Sequence, residues 1–132
     1  MDDNKSKELN SFKNPNFFKA LKNALRGIGT VSKKERNIKI QLVAALLVLI
    51  VGIMFKISYI EWGILTITIF LVLITETLNT AIEKTVDMIT KEYSEEAKVV
   101  KDISAGAVLF STIASVIVGI IIFLPKILIY IY

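Results

Sequence analysis

Three carboxylates and one amide recur along the segment Glu76-Thr-Leu-Asn79-Thr-Ala-Ile-Glu83-Lys-Thr-Val-Asp87. Each residue of an α-helix advances by about 100°, so these four side chains fall within one polar stripe. Carboxylate and amide oxygens suit hard divalent cations, with Mg²⁺ first among them, and a carboxylate can also serve as a general base. The stripe therefore predicts proton-transfer or metal chemistry carried by oxygen atoms.

The composition narrows this chemistry further. The chain has 132 residues and contains neither histidine nor cysteine, which excludes disulfides, Cys/His zinc sites and nucleophilic catalysis by either residue. The sequence has no GxxxxGK[ST] phosphate-binding loop, and Gly27-Ile-Gly29 lacks the third glycine of a dinucleotide loop. Carboxylates, amides, hydroxyls, lysine, arginine or a bound metal remain to carry a reaction.

The hydropathy indicates a membrane protein. Hydrophobic residues make up 54% of the chain and charged residues 21%, and the mean hydropathy is +0.62. A small soluble domain exposes much of its surface to water and could not hide that much apolar area. The net charge of +4 is therefore attributed to contact with a membrane surface, and no nucleic-acid partner is expected.

Three apolar runs predict an all-α membrane protein with three transmembrane helices. Ile40–Phe55 and Ile103–Pro125 contain no charge, and Trp62–Thr75 continues past Glu76 as a mainly apolar segment. Such helices can cross a hydrocarbon core of about 30 Å when flanking lysines extend them. The predicted membrane helices cover approximately residues 37–57, 60–90 and 98–125, within a single domain of residues 15–132.

Lysine and arginine are unevenly distributed between the predicted sides of the membrane. Residues 1–39 carry ten of them and residues 84–101 carry four, against only Lys56 and Lys126 in the remaining segments. The positive-inside rule then predicts a multi-pass protein of the cytoplasmic membrane with a cytoplasmic N-terminus.

Glu76 would lie about 24 Å along a helix that enters the bilayer near Ile60, just inside the cytoplasmic edge. An ionisable residue within a membrane helix points to function, because a carboxylate near the bilayer centre costs roughly 2.5–3.5 kcal/mol. A solvated helix end with interhelical hydrogen bonds is the alternative interpretation. For Asp87 the two interpretations are equally open.

Two further charged clusters are predicted to lie at the same depth in the membrane as the acidic stripe. Lys33–Asn37 precedes the first membrane helix, while Lys98, Lys101 and Asp102 share one face at the start of the third. All three helices thereby bring charge to one membrane face. A site there could hold a metal-bound polyphosphate, with a lipid arriving from the side.

The N-terminal part of the chain has a different pattern. Within residues 15–31, apolar side chains fall on one helical face and basic side chains on the other. The apolar ones are Phe17, Leu21, Ala24, Leu25 and Ile28, and the basic ones are Lys19, Lys22 and Arg26. The pattern predicts an amphipathic helix at the membrane surface, or alternatively one packed on a soluble partner. Residues 1–14 are polar and are expected to be disordered.

Small residues recur at spacings of three and four along the third membrane helix. They are Ser104, Ala107, Ser111, Ala114 or Ser115, and Gly119. Such a seam lets helices approach closely and suits association between copies of the chain. The general abundance of small residues in transmembrane helices is the competing explanation.

The acidic segment 76–87 and the following Ala97-Lys-Val-Val-Lys101-Asp102 resemble the prokaryotic diacylglycerol kinase family, in particular its undecaprenol kinase branch of Gram-positive type. The resemblance extends over about residues 17–125. It implies a homotrimer with a surface helix and three transmembrane helices per chain, and active sites shared between subunits at the cytoplasmic interface. The implied reaction is Mg²⁺- and ATP-dependent phosphorylation of a lipid hydroxyl, on undecaprenol or alternatively on diacylglycerol.

The resemblance also assigns roles to residues of this chain. Glu76 and Asn79 are implied to be catalytic, Glu76 as general base on the lipid hydroxyl and Asn79 as a positioning residue near the phosphates. Glu35 and Glu83 are implied to hold Mg²⁺ and, through it, ATP. The other implied ATP-binding residues are Asp87, Glu92, Tyr93, Lys101 and Asp102.

Asn16 and Asn23 depart from the family pattern, in which a basic and an aromatic residue are expected, so neither is included in the predicted site.

Two other classes of function are alternatives. In a small ion channel or transporter subunit the acidic stripe would line an ion path, and in a membrane scaffold it would have no catalytic role. The uncharged runs Ile40–Phe55 and Ile103–Pro125 argue against an ion path through the bilayer.

Overall fold

A computed structural model describes Lys7 and residues 16–131, without the side chain of Tyr130. Over residues 16–131 the chain forms four α-helices, namely α1 (Phe17–Lys34), α2 (Arg36–Met54), α3 (Tyr59–Ile89) and α4 (Glu95–Ile131). The last three are long and apolar enough to cross a membrane, which confirms the prediction of an all-helical fold with three such helices. The disorder predicted for residues 1–14 concerns a segment that, Lys7 apart, lies outside the described residues.

Contacts divide the chain into two compact units, Met1–Lys34 and Glu35–Tyr132. The single domain predicted over residues 15–132 stays a prediction. Within the first unit, α1 contributes no buried residue. In α1, Phe18 and Leu25 are 77% and 62% exposed.

The connection from α2 to α3 is a tight turn. α2 ends in a Schellman motif, in which the N–H of Ile57 donates to the carbonyl of Gly52 over 3.2 Å. Lys56 takes the left-handed position of the motif, with φ of 49°, where glycine is more usual. Gly52 has no space for a side chain, since an added Cβ would lie 2.9 Å from the Trp62 ring. The turn and this close approach bring the start of α3 against the end of α2.

A capping box starts α3. The N–H of Ser58 donates to Glu61 Oε2 over 2.6 Å, and the N–H of Glu61 donates to the Ser58 hydroxyl over 3.3 Å. The other carboxylate oxygen of Glu61 binds Lys126 Nζ of α4 at 2.8 Å. This ion pair joins α3 to α4 at the end of α3 that is remote from the acidic stripe.

α4 continues beyond its predicted end near residue 125. Pro125 lies inside the helix, which extends to Ile131. Proline removes one backbone donor, but membrane helices tolerate it where neighbouring groups satisfy the freed carbonyl. Near this end, Ile57, Leu65 and Ile122 form the buried apolar cluster that packs the helices together.

Part of the small-residue seam of α4 packs inside the chain. Ser104 and Ser111 are only 6% and 4% exposed. Ser111 Oγ lies 2.8 Å from Thr75 Oγ1 of α3, and hydrogen bonds of this kind add to the association of membrane helices. These two small residues therefore serve the α3–α4 interface, whereas Ala107 remains exposed.

Candidate active site

Glu76 is buried in the interface between α2 and α3, with 3% of the residue exposed. Its Oε2 accepts a hydrogen bond from Gln41 Nε2 of α2 over 3.2 Å. The other amide atom, Gln41 Oε1, is buried without a hydrogen-bond partner among the described residues. Sequence reasoning did not select Gln41, although it is the only side chain in the Ile40–Phe55 run that carries a polar group.

Asn79 is held by hydrogen bonds on both sides of its amide. Its Oδ1 accepts from Ser104 Oγ of α4 over 2.6 Å, and its Nδ2 donates to Glu83 Oε1 over 3.2 Å. Asn79 and Ser104 are both buried. One amide therefore orients a carboxylate of α3 and links that helix to α4. The predicted stripe contained Asn79 and Glu83, whereas the partnership with Ser104 requires the packing of α4.

Glu35 lies at the N-terminus of α2 and contacts α3 through Lys84. Lys84 Nζ is 2.6 Å from Glu35 Oε1. Through this pair Glu35 contacts the residue that directly follows Glu83 on α3, and the assignment of Glu35 and Glu83 as metal ligands stays a prediction. Sequence reasoning did not select Lys84, because no local pattern links it to a residue 49 positions earlier.

The carboxylates of Glu35 and Glu83 fit Mg²⁺ in chemical type. Mg²⁺ commonly takes one or two protein carboxylates and completes its shell with water and substrate phosphates. Over the described part of the chain, no group of three or more acidic residues is close enough to hold a metal without such help. Glu35 already binds a cation, the Lys84 ammonium, so its position suits a positive ion.

A polar cavity of about 570 Å³ opens where α3 ends and α4 begins. This volume is within the range of small-molecule binding sites. Lys91 and Lys98 line the cavity and add positive charge. Its lining also includes five residues that are predicted to contact ATP, namely Asp87, Glu92, Tyr93, Lys101 and Asp102.

Three of the side chains that line this cavity, those of Asp87, Tyr93 and Lys101, already have polar partners in the structure. Lys101 Nζ lies 2.5 Å from Asp87 Oδ1, linking α3 to α4. Tyr93 donates its hydroxyl to Glu95 Oε1 over 2.9 Å, and this hydrogen bond is the main cause that raises the pKa of the Tyr93 phenol above its ordinary value. The phenol therefore stays protonated and able to donate throughout the neutral range.

A second, mainly apolar cavity of about 340 Å³ lies between α2, α3 and α4. Most of its lining is aliphatic or aromatic, including Val48, Leu65 and Phe123, and Gln41 lies on its wall. The lining residues of α3 end at Leu73, before Glu76, whereas those of the polar cavity begin at Val86. Along α3, Glu76 therefore lies between an apolar cavity and a polar one.

Comparison with known proteins adds to this geometry. The sequence matches the family described as prokaryotic diacylglycerol kinase over residues 22–123, which include every predicted site residue. It is 46% identical over 110 residues to the undecaprenol kinase of Bacillus subtilis, covering 83% of this chain and 89% of that protein. It is 36% identical over 115 residues to a diacylglycerol kinase of Synechocystis, covering 86% of this chain and 66% of that protein. It is 33% identical over 101 residues to a diacylglycerol kinase of Escherichia coli, covering 76% of this chain and 83% of that protein.

Proposed function

Given that the chain belongs to the prokaryotic diacylglycerol kinase family, we propose that it is an ATP- and Mg²⁺-dependent lipid kinase acting on undecaprenol. Undecaprenol is favoured because an undecaprenol kinase is 46% identical over 89% of its length, whereas the two diacylglycerol kinases are 36% and 33% identical. Diacylglycerol, which also offers a primary hydroxyl, is the alternative acceptor.

The observation that carries the proposal is the position of the Gln41–Glu76 pair. A buried carboxylate and an unpaired amide acceptor meet beside an apolar cavity. An apolar chain that ends in a hydroxyl suits this arrangement, since its body is apolar and its terminal O–H needs an acceptor. We assign the lipid to this cavity and its hydroxyl to Glu76 and Gln41.

Glu76 then acts as the general base. A primary alcohol is a weak nucleophile, and a positioned carboxylate can take its proton as the oxygen bonds to the γ-phosphorus. The bond between that phosphorus and the leaving ADP oxygen breaks in the same transfer. Gln41 holds one oxygen of Glu76, which leaves Oε1 for the incoming hydroxyl.

The nucleotide is assigned to the polar cavity. Phosphoryl transfer depends mainly on positioning and charge neutralisation, and Mg²⁺, when bound, would supply part of the neutralising charge. Glu35 and Glu83 would hold the metal, and Asn79 keeps Glu83 oriented through its 3.2 Å hydrogen bond. Lys101 would bind phosphate oxygens, while Asp87, Glu92, Tyr93 and Asp102 contact the rest of the nucleotide.

The same proposal includes the setting of the enzyme. We place the N-terminus and the polar cavity on the cytoplasmic side of the cytoplasmic membrane, because the positive charge is concentrated there. α1 would lie at the membrane surface through its apolar face. The functional unit would be a homotrimer, as the family resemblance implies.

Radiolabelled ATP offered with undecaprenol and with diacylglycerol in matched mixed micelles tests this function. We expect Mg²⁺-dependent transfer of label to undecaprenol, at a higher rate than to diacylglycerol. A higher rate with diacylglycerol would overturn the lipid assignment, and no transfer to either would overturn the kinase proposal. Ion flux in proteoliposomes without ATP would instead support the transporter alternative.

A further inference from the structure

Lys84 forms a contact that the proposed mechanism does not use. Its Nζ lies 2.6 Å from Glu35 Oε1, and the Lys84 and Glu35 side chains are 57% and 28% exposed. The negative charges of Glu83 and Asp87 also act on this ammonium. Lys84 is therefore the cation that contacts Glu35, one of the two proposed metal ligands, whereas Asp87 is paired with Lys101.

The contact conflicts with metal binding at the same carboxylate. Mg²⁺ binds carboxylate oxygens at about 2.0–2.1 Å, so a metal on Glu35 and an ammonium on Glu35 would be two cations held by one group. Like charges at this separation repel each other. Either Lys84 leaves Glu35 when the metal arrives, or the metal binds more weakly because Lys84 stays.

An exposed ion pair of this kind contributes little to folding stability. The lysine side chain is flexible and its ammonium is readily solvated, so Lys84 can leave Glu35 without disturbing α2 or α3. We propose that Lys84 is an internal counter-ion that neutralises Glu35 before metal binds and competes with Mg²⁺ for it. The inference rests on the proposed function, in which Glu35 is a metal ligand.

Thermal unfolding of the full chain in detergent micelles measures this competition without turnover. Mg²⁺ is titrated at a fixed concentration of a non-hydrolysable ATP analogue, and the Mg²⁺ concentration for half-maximal stabilisation is read. Lys84→Met should lower that concentration roughly two- to fivefold, since it removes one exposed ion pair that the metal must displace. Lys84→Arg keeps the charge and should behave like the wild type.

Lys126→Met is the matched control. It breaks another Lys–Glu pair, with Glu61 at 2.8 Å, at the remote end of α3. We expect it to leave the Mg²⁺ midpoint unchanged. In a Glu35→Gln background, Lys84→Met should also lose its effect, because the competition acts through the Glu35 carboxylate.

An unchanged or higher Mg²⁺ midpoint for Lys84→Met would overturn the inference, as would a lower midpoint that persists in the Glu35→Gln background. A higher midpoint would make Lys84 a phosphate-binding residue instead. Lipid phosphorylation by the wild type is measured separately. If the wild type phosphorylates lipid and Lys84→Met leaves the midpoint unchanged, only this inference fails. If the wild type shows no Mg²⁺-dependent phosphorylation, the proposed function fails as well.

Discussion

Gln41 of α2 donates a hydrogen bond to the buried carboxylate of Glu76 on α3, with 3.2 Å between Nε2 and Oε2. The direction of this bond follows from chemistry, since an amide nitrogen can only donate. Gln41 also lines the apolar cavity. One side chain therefore orients the proposed base and borders the space assigned to the lipid, and several predictions can be made from the site around it.

Gln41→Leu should lower kcat for lipid phosphorylation roughly tenfold, because the buried carboxylate of Glu76 loses its hydrogen-bond donor. KM for ATP should stay close to the wild-type value, since Gln41 does not line the polar cavity. Steady-state kinetics with lipid and ATP varied separately measure both quantities. A Gln41→Leu enzyme with unchanged kcat would contradict the positioning role.

Glu76→Gln should reduce turnover by at least about 100-fold, which is the lower range for loss of a general base. The amide has nearly the same shape, so the variant should still insert and fold. Glu61→Gln, which changes a partly buried glutamate at the remote end of α3, is the control and should keep near-normal turnover. Near-normal turnover of Glu76→Gln would show that Glu76 is not the base.

Ser104→Ala should destabilise the protein by about 1–3 kcal/mol, because it leaves the buried Oδ1 of Asn79 without its donor. Ser115→Ala is the control on the same helix, since the Ser115 hydroxyl donates to the carbonyl of Thr112 within α4 itself. Unfolding in detergent with a chemical denaturant measures both variants. Equal stabilities of the two variants would mean that the Ser104–Asn79 bond does not stabilise the α3–α4 interface.

Lys101→Met should raise KM for ATP about tenfold or more, as expected for loss of a charged hydrogen bond to phosphate. Its thermal stability should change little, because the Lys101–Asp87 pair is largely exposed, at 37% and 63% of the two side chains.

Asp87→Asn then separates the two interpretations of Asp87. A solvated helix end predicts wild-type kinetics, whereas a nucleotide contact predicts a higher KM for ATP.

Tyr93 should titrate at higher pH in the wild type than in Glu95→Gln, because Glu95 raises the pKa of the phenol. Raising the pKa in the folded state means that the Tyr93–Glu95 hydrogen bond is intact below the ordinary phenol pKa. The bond is lost as the pH rises through the raised value. Ultraviolet absorbance of the phenolate follows the titration, and Tyr93→Phe identifies its contribution. Identical titrations in both proteins would remove Glu95 as the cause.

Much of the architecture could be predicted because it depends on local pattern. Charge-free runs such as Ile40–Phe55 identify membrane helices, since the bilayer requires each span to satisfy its own backbone. The third membrane helix continues past its charge-free run to Ile131, since membrane helices tolerate a proline such as Pro125. The assignment to the prokaryotic diacylglycerol kinase family is confirmed, whereas the individual site roles stay predictions.

The sequence by itself determined the helices and the acidic stripe from Glu76 to Asp87, because periodicity and hydropathy act within one helix. It also identified the family, through the resemblance of the motifs at residues 76–87 and 97–102. Only the tertiary structure decided which side chains meet across helices. Gln41 with Glu76 and Glu35 with Lys84 are separated by 35 and 49 positions, so no local periodicity relates them. Their contacts depend on how α2 is rotated and placed against α3, which is set by packing such as that of Gly52 against the Trp62 ring.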